Sequence, residues 1–86
     1  METNHFYNQT RDAAMFFIDK KGVSVSLLKK NLKLDIYRLS RIVFLLQNIG
    51  IISRQEGKNK RTLLVNDVPT AMQKIDEYIA NSNKKE

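Results

Sequence analysis

Arg38 and Arg41 are the two side chains of this sequence best suited to bind a polyanion. They stand three positions apart in the segment DIYRLSRIVFLLQNIG, residues 35–50. A guanidinium group can donate paired hydrogen bonds to a phosphate or to the O6 and N7 edge of a guanine. The aromatic residues Tyr37 and Phe44 flank the arginines. This segment is therefore the candidate functional surface, and the elements around it must hold it in place.

Residue types that support catalysis or metal binding are scarce. The 86 residues include no cysteine, one histidine and three glycines. Disulfides and cysteine zinc sites are therefore excluded, and no phosphate-cradling glycine loop is present. His5 lies near the N-terminus without a partner of ligand type, so we expect it to be solvated. We expect no enzymatic activity, no metal and no other cofactor.

Residues 35–49 are predicted to form a helix, because their apolar side chains recur with the helical period. Asp35 can cap its first turn by accepting from free backbone amides, and Gly50 can end it because glycine tolerates positive φ. The apolar stripe consists of Ile36, Leu39, Ile42, Val43, Leu46 and Ile49.

The opposite face of this helix is unusual for a solvated surface. It carries Tyr37, Arg41, Phe44 and Asn48, with Arg38 and Leu45 at its edge. Aromatic side chains on an exposed face need an explanation, since Lys, Glu and Gln normally occupy one. Either another element or a second subunit covers this face, or the face enters a DNA groove.

A helix-turn-helix is predicted from the order of the elements. A very short strand at residues 23–25 precedes a helix at about residues 27–32, which presents Lys29 and Lys30 outwards. A short turn joins this helix to the longer one, whose exposed face is basic. We therefore interpret residues 35–49 as a recognition helix.

A β-hairpin is predicted directly after the recognition helix. Strands at residues 51–55 and 61–65 flank a connection that holds Lys58 and Lys60, with Arg61 at its base. A basic hairpin in this position is a wing, which lies over phosphates or enters the minor groove.

The expected fold class is α+β, mostly α: a winged helix-turn-helix with a three-helix core, a β-hairpin wing at 51–65 and an added C-terminal helix at 69–81. Residues 1–80 form one domain and residues 81–86 a frayed tail. Apolar residues left over on the first and C-terminal helices predict a homodimer through those helices. They are Met15, Phe16, Met72, Ile75, Tyr78 and Ile79.

The positive charge is confined to the middle of the chain. The net charge of +6 divides into −1 for residues 1–20, +8 for residues 21–65 and −1 for residues 66–86. Such segregation is typical of a surface that binds a polyanion. No apolar run reaches membrane-spanning length and no signal peptide is evident, so we expect a soluble, cytoplasmic protein that does not bind membranes.

Residues 23–65 resemble the gamma domain of FtsK-type DNA translocases, a winged-helix domain that reads short oriented G-rich sites. The shared motifs are Ser24-Val25-Ser26, Lys29-Lys30, Arg38, Arg41 and Gly50-Ile51-Ile52-Ser53. The resemblance implies an Asn, an Arg and a Glu as base readers, at the positions of Tyr37, Arg41 and Phe44. Without a motor domain, the chain looks like a stand-alone relative.

These observations predict a protein that binds double-stranded DNA, as a small regulator, for example of transcription, or as a DNA-processing accessory factor. Arg41 is the predicted base contact, flanked by Tyr37, Phe44 and Asn48. The predicted phosphate contacts are Lys29, Lys30, Arg38, Lys58, Lys60 and Arg61. The alternatives are a winged-helix module that docks a protein through Tyr37, Phe44 and Leu45, and an RNA-binding protein whose aromatics stack on bases.

Overall fold

The described part of the chain, residues 2–57 and 61–84 of a computed structural model, forms four helices. They are α1 (Glu2–Lys20), α2 (Val25–Leu32), α3 (Ile36–Ile49) and α4 (Val68–Lys84). Both α1 and α3 contact each of the other three helices, so the hydrophobic core is built around this pair.

Small and aromatic residues on one face of α1 let α3 and α4 pack closely against it. Ala13, Ala14 and Phe17 are completely buried. Thr10 is the one buried polar residue among those described, and its hydroxyl donates to the Phe6 carbonyl at 2.9 Å. A buried hydroxyl needs such a partner, and the carbonyl one turn earlier supplies it locally.

The predicted ends of α3 are confirmed. Asp35 Oδ1 accepts a hydrogen bond of 2.7 Å from the Arg38 amide, which satisfies a donor of the first turn. Gly50 has a φ of 99°, and its amide donates to the Leu46 carbonyl at 3.1 Å. Glycine adopts this left-handed conformation without strain, so the helix ends there and the chain turns into the core at Ile51.

The turn between α2 and α3 uses a lysine where a glycine is common. Lys33 has a φ of 53° and ends α2, while the Leu34 amide donates to the Lys29 carbonyl at 3.1 Å. The short strand predicted at residues 23–25 is wrong, because α2 already begins at Val25. A segment of three residues without a pairing partner gains nothing from an extended conformation.

The predicted α+β class and β-hairpin wing are wrong: the described residues contain no β-strand, and the fold is all-α. Residues 51–57 and 61–65 meet at one isolated antiparallel bridge, between Ile52 and Leu63. The reason lies beside that bridge, where side chains form hydrogen bonds with backbone groups that would otherwise pair two strands. The Ser53 amide does donate to the Thr62 carbonyl at 2.8 Å, but the Thr62 amide donates to Ser53 Oγ. The Ser53 carbonyl accepts from the Arg61 side chain instead.

Burial also breaks the strand pattern. Ile51 and Ile52 are neighbours in sequence and both are buried, whereas a strand sends successive side chains to opposite faces. The predicted tip residues Lys58 and Lys60 lie outside the described residues.

The C-terminal helix α4 packs across α1, and Ala71 and Ile75 are completely buried. Asp67 Oδ2 accepts from the Thr70 amide at 2.9 Å at its start. The helix runs from Val68 to Lys84, beyond the predicted bounds of 69–81, so residues 81–84 are helical where a frayed tail was predicted. The last two residues, 85–86, lie outside the described ranges.

No helix in the described ranges combines the length and the apolar character that crossing a membrane would require.

Candidate nucleic-acid interface

The face of α3 opposite the core is open to solvent. Tyr37 is 71% exposed and Phe44 62% exposed, and Arg41 and Asn48 are exposed beside them. The helical period that buries Leu39, Ile42, Val43 and Leu46 turns these residues outwards. Within the chain, no described element covers the two aromatic side chains.

Ser40 lies on the same open face, between Tyr37 and Phe44 along the helix, and is exposed. Ser40 was not among the predicted site residues. The spacing of 100° per residue would have placed it there, and its hydroxyl can both donate and accept hydrogen bonds.

The arginines of this face lie against aromatic rings. The Arg41 guanidinium carbon is 5.1 Å from the centroid of the Phe6 ring and 6.0 Å from that of Tyr37. The Arg38 guanidinium carbon is 5.7 Å from the same Phe6 ring. Distances below about 6 Å permit cation–π attraction. Phe6 of α1 therefore forms one border of the surface, although no residue of α1 was predicted to belong to it.

Leu45, predicted as part of a protein-docking face, is only 8% exposed. It is unavailable to a partner. Leu27 at the start of α2 is 49% exposed, and Ile36 at the start of α3, which was predicted on the inner apolar stripe, is 65% exposed.

These two residues border a groove of about 650 Å³ between the start of α2 and α3. Phe44, Gln47 and Arg61 also line it. The groove lies along one flank of the open face, so a ligand on α3 would extend into it.

Arg61 is half-buried and tied to α3. Its Nη1 donates to Gln47 Oε1 at 2.9 Å and to the Ser53 carbonyl at 3.2 Å. Lys29 and Lys30 are exposed on the last turn of α2, where the negative end of the helix dipole favours cations. The structure thus brings Arg38, Tyr37 and Arg41 together and joins Arg61 to their helix.

Among the described side chains, no basic residue of α2 or α3 forms an ion pair with a carboxylate. The one ion pair among those side chains joins Arg11 of α1 to Asp76 of α4 at 2.9 Å. The described residues also hold no group of three His, Cys, Asp or Glu side chains placed to bind a metal. The surface therefore combines positive charge with aromatic rings.

The family model of the FtsK gamma domain matches residues 3–66. The chain belongs to the FtsK gamma domain family. FtsK gamma domains bind DNA, so DNA binding is the function that membership assigns in general terms. The resemblance seen in the sequence is confirmed. Neither the curated proteins nor the solved structures include a match to this chain.

The match places α1, α2, α3 and the segment up to Asn66 in the gamma domain, and α4 follows it. The apolar seam of α4 packs within the chain, with Ile75 completely buried and Met72 and Ile79 against the core. Of the residues predicted to form a homodimer, Met15 on α1 remains 39% exposed and Tyr78 is half-buried. The homodimer of this gamma domain stays a prediction.

Proposed function

We propose that this FtsK gamma domain binds double-stranded DNA by placing the open face of α3 in the major groove, with Arg41 contacting a guanine. The proposal depends above all on the position of Arg41. Arg41 is exposed on α3, its guanidinium carbon lies 5.1 Å from the Phe6 ring centroid and 6.0 Å from that of Tyr37, and it belongs to the segment that holds the +8 net charge. Its donors can then meet the O6 and N7 edge of guanine in pairs.

Phosphate contacts supply the rest of the affinity. Lys29 and Lys30 extend from α2, Arg38 lies at the edge of α3, and Arg61 lines the groove beside it. Lys58 and Lys60 lie outside the described residues, and in the sequence they add two positive charges next to Arg61. With about six such cations, the logarithm of the binding constant should fall against the logarithm of salt concentration with a slope of about −5.

Tyr37 and Phe44 stand where the resemblance implies an Asn and a Glu. Phe44 cannot form hydrogen bonds, and Tyr37 offers one hydroxyl in place of an amide group, so the base preference of this domain should depend mainly on Arg41, with Ser40 and Asn48 beside it. Phe44 can touch a thymine methyl group. The role is binding, as a small regulator or an accessory factor in DNA processing.

The test compares Arg41→Ala with Phe44→Ala in a salt-resolved binding titration on duplex DNA. Arg41→Ala should lower affinity about tenfold or more and relax the preference for a G·C pair, since a bidentate guanine contact is worth about 1–3 kcal/mol. Phe44→Ala should have a smaller effect. Both variants must first match the wild type in thermal unfolding.

A second candidate function is the docking of a protein segment that carries acidic and apolar side chains. The exposed Leu27, Ile36 and Phe44 beside a groove favour it, because duplex DNA offers little apolar surface. In this case the order of the two variants inverts: Phe44→Ala abolishes binding and Arg41→Ala matters little, since buried aromatic anchors carry most interface energy.

A further inference from the structure

The ring of Phe6 on α1 lies close to the guanidinium groups of both Arg38 and Arg41 on α3. Its centroid lies 5.1 Å from the Arg41 guanidinium carbon and 5.7 Å from that of Arg38. The ring is itself held in place. Phe6 packs partly against the core, its carbonyl accepts the buried Thr10 hydroxyl, and its ring lies 5.8 Å from that of Tyr7 at 48°.

This arrangement keeps the hydrogen-bonding capacity of the arginines available. A carboxylate partner would occupy the guanidinium donors, whereas an aromatic ring attracts the cation through its face and leaves the N–H groups unused. Neither Arg38 nor Arg41 is paired with a carboxylate among the described side chains. An arginine held in this way also loses less side-chain freedom when it binds.

We propose that Phe6 is a positioning residue that orients Arg38 and Arg41 for DNA, so that α1 shapes the DNA-reading surface through this ring. The inference rests on the proposed function, because it explains how Arg41 is aimed. Phe6 itself touches no base in this proposal. It holds the two guanidinium groups beside its ring and leaves their N–H donors available to DNA.

The chain offers a matched control on the same helix. Phe16 also packs partly on the core and also lies under a cation, with Lys20 Nζ 5.6 Å from its ring centroid. Phe16→Leu removes a comparable ring and cation contact without touching α3 arginines. Phe6→Tyr retains the ring face, whereas Phe6→Leu removes it and keeps an apolar side chain.

The first measurement is the ratio of affinities for a G·C-rich duplex and an A·T-only duplex. Phe6→Leu should reduce this ratio about three- to tenfold, while Phe16→Leu and Phe6→Tyr leave it near the wild-type value. Adding Phe6→Leu to Arg41→Ala should reduce it no further, because Phe6 acts through Arg41. An equal ratio in Phe6→Leu and the wild type, or equal losses in Phe6→Leu and Phe16→Leu, would overturn the proposal.

The second measurement needs no DNA. In the free protein, the side-chain NMR signals of Arg38 and Arg41 should carry ring-current shifts that Phe16→Leu preserves. Phe6→Leu should remove the shift at Arg38 and reduce it at Arg41, where the Tyr37 ring remains. Unchanged arginine signals in Phe6→Leu overturn the positioning role. If Arg41→Ala binds both duplexes as the wild type does, the proposed function fails. If Arg41→Ala loses the preference and Phe6→Leu keeps it, the positioning role alone fails.

Discussion

The Arg61 guanidinium donates a hydrogen bond from Nη1 to Oε1 of Gln47 on α3, at 2.9 Å. The same nitrogen donates to the Ser53 carbonyl at 3.2 Å. Arg61 therefore joins the two segments that follow α3 to that helix, in addition to placing a positive charge beside the groove. Its structural contribution and its charge can be separated by experiment.

Gln47→Ala removes the link and keeps the charge, whereas Arg61→Ala removes both. Gln47→Ala is expected to lower the free energy of unfolding by about 1 kcal/mol, since it breaks one partly buried hydrogen bond, and Arg61→Ala by more, since it breaks two. Only Arg61→Ala should also lower the magnitude of the salt slope of DNA binding, by about one. Chemical denaturation and salt-resolved titration measure the two quantities. Identical salt slopes for the two variants would show that Arg61 does not contact a phosphate.

Lys33→Gly is expected to stabilise the domain. Lys33 has a φ of 53°, a left-handed conformation that costs an L side chain about 1 kcal/mol and glycine much less. Lys30→Gly, inside α2, removes the same charge but should destabilise by about 1 kcal/mol because glycine is a poor helix former. Opposite shifts in the midpoint of thermal unfolding check this. A lower midpoint for Lys33→Gly would show that its side chain makes a stabilising contact.

The start of α4 is expected to weaken in acid. Hydrogen bonds from Thr70, first its side chain and then its backbone amide, hold the pKa of Asp67 below its ordinary 3.8. When folding lowers the pKa of a carboxyl, its ionised form stabilises the folded state. This stabilisation is fully present above pH 3.8 and is lost as the pH falls through the lowered pKa. Asp67→Ala should therefore reduce the unfolding temperature at neutral pH, with a difference that shrinks in strong acid.

Thr70→Val serves as the companion to that variant, because it removes the hydroxyl and retains the backbone donor. It should show a smaller loss with the same pH dependence. A difference between Asp67→Ala and the wild type that stays constant from neutral pH into strong acid would exclude the Asp67 carboxylate as its source.

The seam of α4 and the exposed face of α1 are expected to respond differently to a charge. Ile75→Asp should unfold the domain, because Ile75 is completely buried within the chain and an unpaired carboxylate there is costly. Met15→Asp should leave the domain folded, since Met15 is 39% exposed and its side chain can remain in solvent.

Sedimentation at micromolar concentration checks the predicted homodimer, which Met15→Asp should dissociate. A wild-type monomer there would contradict the homodimer.

The sequence by itself determined the helix that carries the candidate site. The period of the apolar residues, the cap at Asp35 and the stop at Gly50 are local features, in which residues three or four positions apart interact. They were sufficient to turn Tyr37, Arg41, Phe44 and Asn48 outwards. The concentration of positive charge in residues 21–65 is likewise a property of the sequence alone.

The tertiary structure decided what surrounds that helix. Strand propensity and a glycine predicted a hairpin, but Ser53 and Arg61 take up the backbone groups that a ladder needs. Nothing local in α1 marks Phe6 as a neighbour of Arg41, since that contact exists only because α1 packs across α3. Strand pairing and helix packing depend on groups that are far apart in the sequence and compete for the same hydrogen-bond or packing partner. Which group wins is decided only in the folded chain.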